Sequence, residues 1–159
     1  MLQALLIVAL AAGAPLFAQA TETWWGLAPC ALCLWQRWPY WVGAVFALLA
    51  AVLPGRGRRG MLMLAGIAVL VSGAIGVLHA GVEWGWWPSP LPGCQAPTAR
   101  PGGSIEDMLR GMPSAPTKPC DAPTYLIPGL PITMAGMNVL YAVAVGGLAL
   151  VLARRGTRT

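Results

Sequence analysis

Four apolar runs, each close to twenty residues, leave this chain few ways to fold. They cover residues 2–20, 31–53, 61–79 and 132–153 of a 159-residue chain. A helix needs roughly 20 residues to cross a hydrocarbon core about 30 Å thick. Lipid offers no partner to a backbone N–H or C=O, so a single run that crosses it must be helical. With 57% of its residues hydrophobic and only 9% charged, the chain cannot coat a soluble domain of this size. The sequence therefore predicts an all-α fold, a polytopic membrane four-helix bundle in one domain. Two outward-facing cysteine-bearing loops are expected at about 21–30 and 80–131. Gly66, Gly73 and Gly76 in the third run, and Gly136, Gly146 and Gly147 in the fourth, suit close helix–helix approach in lipid.

The net charge of +5 is distributed by topology. Arg56, Arg58 and Arg59 crowd the link between the second and third runs, and Arg154, Arg155 and Arg158 follow the fourth. The acids Glu22, Glu83, Glu106, Asp107 and Asp121 fall in the other two links. The positive-inside rule then places the Arg-rich link and the C-terminus in the cytoplasm and both cysteine-bearing links outside. No nucleic-acid site is expected. The first run ends Ala18-Gln19-Ala20, similar to a signal-peptidase site, but no Lys or Arg precedes it and it is long for a signal core. A retained helix is the expectation.

All eight tryptophans (Trp24, Trp25, Trp35, Trp38, Trp41, Trp84, Trp86 and Trp87) lie in or near the outer links, either as an interfacial belt or, for a subset, as walls for a flat aromatic ligand. Pro39 inside the second run predicts a kink near Trp35. In the long loop, Ser104-Ile105-Glu106-Asp107 reads as a capping signal. Ile105, Met108, Leu109 and Met112 then form one apolar stripe, either a short helix lying on the membrane or a weakly helical loop.

The chemistry lies in four cysteines. Cys30-Ala31-Leu32-Cys33 opens the second helix, where one turn brings the two Cα atoms to about 5 Å, within disulfide range. Free N–H groups and the helix dipole favour a thiolate there. Arg37, four residues beyond Cys33 and on the same face, favours it further; a cation at membrane depth is a functional candidate, and its plain alternative is snorkelling to the headgroups. Cys94 and Cys120 have Pro-flanked, mobile settings, so the sequence predicts an exposed loop pair within reach of a bulky protein partner. A static outer-loop brace is the plain alternative. Zinc held by all four cysteines fits neither the spacing of the second pair nor an oxidising compartment, and no metal is expected. Haem attachment is excluded because Leu34, not His, follows Cys33. His79, the single histidine, ends the third run and either exchanges protons with a reduced carrier or is merely solvated. Glu83, one turn on, either orients it or marks the interface.

With these features the chain closely resembles the DsbB family of bacterial disulfide bond formation proteins. The resemblance rests on Pro29-Cys30-Ala31-Leu32-Cys33 followed by Gln36-Arg37, on Trp87-Pro88-Ser89-Pro90 before Cys94, on Cys120-Asp121, and on Gly136-Met137-Asn138 entering the last helix. It implies a multi-pass protein of the bacterial inner membrane with its redox cysteines facing the periplasm. Such a protein reoxidises a periplasmic thioredoxin-like dithiol oxidase (DsbA-like) and passes the electrons to the membrane quinone pool, ubiquinone or menaquinone. By the same resemblance Cys94–Cys120 is the disulfide that the partner attacks, with Cys94 forming the mixed disulfide. Cys30–Cys33 reoxidises it, Cys33 lies next to the quinone, and Arg37 and His79 attend the quinone. The direction is sensible, since a partner near about −120 mV can discharge only onto a high-potential acceptor.

Three other readings compete. Vitamin K epoxide reductase-like enzymes also pair CxxC with loop cysteines, but their CxxC lies late in the chain. A non-enzymatic four-helix membrane protein braced by outer disulfides would have no use for Arg37 beside Cys33. A soft-metal transporter would carry its sulfur ligands inside the span rather than at its outer edge.

Overall fold

In the computed structural model, residues 1–91, 94, 118–127 and 129–155 are described. Their regular structure is four α-helices: α1 Leu2–Trp25, α2 Ala31–Val52, α3 Gly55–Glu83 and α4 Met134–Arg155. The segment expected to carry the Ile105–Met112 stripe lies outside the described residues.

Two helices overrun the limits that hydropathy suggests, and the last is shifted along the chain by two residues. α1 continues past residue 20 because Thr21 and Thr23 return their hydroxyls to the carbonyls of Ala18 and Gln19, at 2.8 and 3.0 Å, and keep the helical register. It stops at Gly26, whose φ of 64° is open to glycine and whose N–H closes on Thr21 O. The first outer link thus shrinks to the few residues before Cys30, and Glu22 belongs to a helix. α3 starts directly after Pro54, so Arg56, Arg58 and Arg59 are helical rather than in a loop, and it runs on to Glu83. α4 begins at Met134 and ends at Arg155. α2 passes through Pro39 without a break in its assignment.

By length and composition α1, α3 and α4 can each cross a membrane. α2 is the exception, because Gln36, Arg37 and four aromatic residues crowd its N-terminal half. That half is the polar end of the bundle, and the site is built there.

α3 is the central helix, packing broadly against α2 and α4, while α1 lies on α2 and only grazes α4. Apolar burial gains little when the surroundings are lipid, so packing must come from close fit. Small residues provide it. A Cβ on Gly66 would meet Gly146 O at 3.0 Å, and one on Gly73 would meet Ala142 Cβ at 2.9 Å. Gly147 faces open space, however, and Gly136 faces only Ile132 and Thr133 of its own segment, so neither joins a helix contact. At the end away from the cysteines Ala4, Ile7, Ala47, Ala50, Leu62, Ala65, Ala149 and Ala153 form one buried cluster. At the cysteine end Cys30, Leu32, Val82, Cys94 and Cys120 form another.

Candidate functional site

Cys30 is the N-cap of α2, in extended conformation, and its sulfur accepts the N–H of Cys33 at 3.1 Å. The cap therefore turns Cys30 Sγ back over the first turn, 2.6 Å from Cys33 Sγ. The two sulfurs are close enough that bond formation needs almost no motion. Cys30 is wholly buried while Cys33 is partly open. The contact with Cys33 Sγ, and after it burial, push the Cys30 thiol well above the ordinary range. Cys30 is thus the member of the pair that keeps its proton.

Cys94 and Cys120 are joined as a disulfide, with Cα atoms 4.8 Å apart. The exposed loop pair expected from the sequence is not what the structure has. Cys94 is 3% exposed and Cys120 fully buried, because both pack against Cys30 and Leu32 of α2 and Val82 of α3. Proline-flanked loops read as open, and here the apolar face of the sulfurs docks on the helix ends instead. Cys120 N–H also bonds Cys94 O at 3.2 Å, which fastens the two loop ends together.

His79 is buried, not solvated, and reaches both cysteine pairs' neighbourhood from α3. Its Nε2 lies 3.4 Å from Cys30 Sγ and 3.8 Å from Glu83 Oε1. Its Nδ1 accepts from Gln36 Nε2 at 2.8 Å. Gln36 is oriented in turn, since its Nε2 also donates to Leu32 O at 3.2 Å and its Oε1 accepts from Asn138 Nδ2 at 2.7 Å. Asn138 Oδ1 receives the Tyr40 hydroxyl at 2.8 Å, and Ser72 Oγ bonds Gln36 O at 2.7 Å. A chain of polar groups from α2, α3 and α4 thereby fixes the neutral imidazole with its proton on Nε2, pointed at Cys30 and Glu83. The second carboxylate oxygen of Glu83 is buried with no hydrogen-bond partner.

Arg37 faces α1. Its guanidinium forms an ion pair with Glu22 of α1, and both side chains are largely covered. Its Nε–H is buried with no acceptor. Arg37, Cys33, His79 and Glu83 line one end of a cavity of about 520 Å³ bounded by α1, α2 and α4, whose remaining wall is mostly apolar. Cys30 does not line it. The pair is thus two-faced: Cys30 belongs to the buried cluster that holds the Cys94–Cys120 disulfide, and Cys33 lines the cavity.

The structure gathers all six residues singled out from the sequence, Cys30, Cys33, Arg37, His79, Cys94 and Cys120, at one end of the bundle. Sequence reasoning missed Glu22, Tyr40, Ser72, and the parts played by Gln36 and Asn138. The available signal was polarity: amides and hydroxyls buried in apolar helices must find partners, and several at one depth imply a shared network. A family model described as "Disulfide bond formation protein DsbB" matches residues 2–152. No curated protein and no solved structure matches the chain.

Proposed function

Because this chain belongs to the DsbB family of disulfide-forming membrane oxidoreductases, we propose that it takes electrons from a periplasmic DsbA-like dithiol protein and delivers them to quinone. The observation that carries this reading is the packing of two cysteine pairs in one buried cluster, with only Cys33 opening onto an apolar cavity.

The partner's thiolate attacks Cys94, releasing Cys120, and resolution of the mixed disulfide leaves Cys94 and Cys120 reduced. These reduce Cys30–Cys33 across the buried contact. Cys33 then faces the acceptor while Cys30 holds the second proton. A bound quinone supplies the two-electron, two-proton sink. The cavity suits such a guest: its wall is apolar, its volume accepts a ring and the start of a prenyl tail, and the orphaned Arg37 Nε–H offers a donor to a ring oxygen. Glu22 sets the height of the guanidinium, and the Tyr40–Asn138–Gln36 chain sets the plane of His79. In this reading the cysteine ends of the helices lie on the periplasmic side and Arg154 and Arg155 in the cytoplasm.

The test is anaerobic mixing of purified protein, quinone and a reduced DsbA-like partner while the quinone spectrum is followed. Stoichiometric quinol is expected. Quinol formation at the wild-type rate in Cys33→Ser refutes the path.

A further inference from the structure

We infer that the reduced Cys30–Cys33 pair and His79 also form a binding site for a thiophilic divalent cation such as Zn²⁺. Cys30 Sγ, Cys33 Sγ and a His79 ring nitrogen all lie within 4.8 Å of one another. Two thiolates and an imidazole are the donor set that zinc prefers, with three protein ligands leaving a fourth position open. With Zn–S near 2.3 Å and Zn–N near 2.0 Å, ligand atoms of a tetrahedral site stand roughly 3.5–3.8 Å apart. Cys30 Sγ and His79 Nε2, at 3.4 Å, already match one such edge. The sulfurs, at 2.6 Å, must part by about 1 Å, which rotation of the half-open Cys33 side chain supplies. The fourth position is left to water or to Glu83, whose Oε1 stands 3.8 Å from His79 Nε2 but outside the three-residue group.

Charge permits it. The cation replaces the two thiol protons, so no electrons move and two protons leave. Arg37 is already neutralised by Glu22, and the Lys118 charge that acts on Cys30 from the loop acts on Glu83 as well. One rearrangement is required. Nε2 must present a lone pair, so Nδ1 must carry the proton and Gln36 must turn its carbonyl oxygen toward it, giving up both the 3.2 Å bond to Leu32 O and the 2.7 Å bond from Asn138 Nδ2. Oxidation of the pair to a disulfide removes two ligands and expels the cation. If the proposed function holds, the metal traps the reduced enzyme and stops its turnover.

Titration of reduced full-length protein in detergent with Co²⁺, and competition with Zn²⁺, tests the site without reference to turnover. A thiolate-to-cobalt charge-transfer band saturating at one equivalent is expected. It should persist in Cys94→Ser/Cys120→Ser, vanish in Cys33→Ser, and be absent from oxidised protein. His79→Ala and His79→Gln should each weaken binding at least ten-fold. Gln36→Glu, by offering Nδ1–H a carboxylate, should tighten it about ten- to a hundred-fold, the usual weight of an outer partner to a metal-bound histidine. Lack of the band, or a band kept in His79→Ala and lost in Cys94→Ser/Cys120→Ser, overturns the site. Zn²⁺ should also abolish quinol formation, with chelator restoring it. Cobalt binding without that inhibition leaves the metal site standing and refutes this dithiol as the route to quinone.

Discussion

Replacing Asn138 with Leu tests whether the polar chain behind His79 matters. The side chains are nearly equal in size, so little space changes, but four interactions go: the acceptor for Tyr40 at 2.8 Å, the donor to Gln36 at 2.7 Å and the longer bonds to Ser72 O at 3.3 Å and Ser72 Oγ at 3.4 Å. Side-chain hydrogen bonds inside membrane bundles average roughly 0.6 kcal/mol each, so about 2 kcal/mol disappears with them. Tyr40 is 2% exposed, and an unpaired hydroxyl in such a place adds about 1–3 kcal/mol. Relaxation recovers part of this, and a net loss of about 2–4 kcal/mol is expected. Gln36 loses the partner that holds its oxygen away from His79, and the imidazole loses a fixed tautomer. Quinol formation by prereduced protein should therefore slow about ten-fold, equivalent to about 1.4 kcal/mol on the barrier. Reversible unfolding in mixed micelles gives the first quantity and anaerobic stopped-flow the second. Wild-type stability within about 0.5 kcal/mol, the usual scatter of a neutral surface change, would show that the chain of contacts is dispensable. Lowered stability with an unchanged rate would show that it braces the bundle and does nothing for His79.

Three further outcomes are expected. Gly146→Val places its Cβ 2.7 Å from Leu70 Cγ and 3.0 Å from Gly66 O and should destabilise the bundle by about 1–3 kcal/mol, whereas Gly147→Val, with nothing within 4 Å, should be near neutral in the same unfolding assay. Glu22→Gln strips Arg37 of its counter-ion. Because the two side chains are 15% and 27% exposed, the loss should be about 1–2 kcal/mol, below that of a fully buried pair, and equal stability would remove the ion pair from the account. In reduced protein, mass mapping after brief iodoacetamide treatment should find Cys33 alkylated and Cys30 untouched up to about pH 9, just above the ordinary thiol range near 8.5. Burial and a raised thiol pKa both protect Cys30, and preferential labelling of Cys30 would reverse the assignment.

The bundle was legible because lipid enforces a simple code: an apolar run of sufficient length has to be a helix. Helix ends were not, since hydropathy stops where polar residues begin, while the backbone of α1 continues to Trp25 and α3 starts in the arginines. The reactive cysteines, Arg37 and His79 could be chosen because their chemistry is rare in such a chain. Their surroundings could not. That Glu22 reaches Arg37, that Asn138 meets Gln36, and that the loop disulfide lies buried depend on which helix faces which, and spacing along one strand of sequence does not encode that. Glycines were half legible: Gly66 and Gly146 meet across α3 and α4, but Gly147, their equal in composition, points away.

The buried seat of Cys94–Cys120 has a further consequence. A nucleophile must approach a disulfide along the S–S axis, and here neither sulfur offers more than a trace of surface. Small thiols drifting past the membrane find nothing to attack. Under the proposed function, a dithiol partner must first draw Cys94 and Cys120 out of the cluster they share with Cys30, Leu32 and Val82, so recognition comes before chemistry.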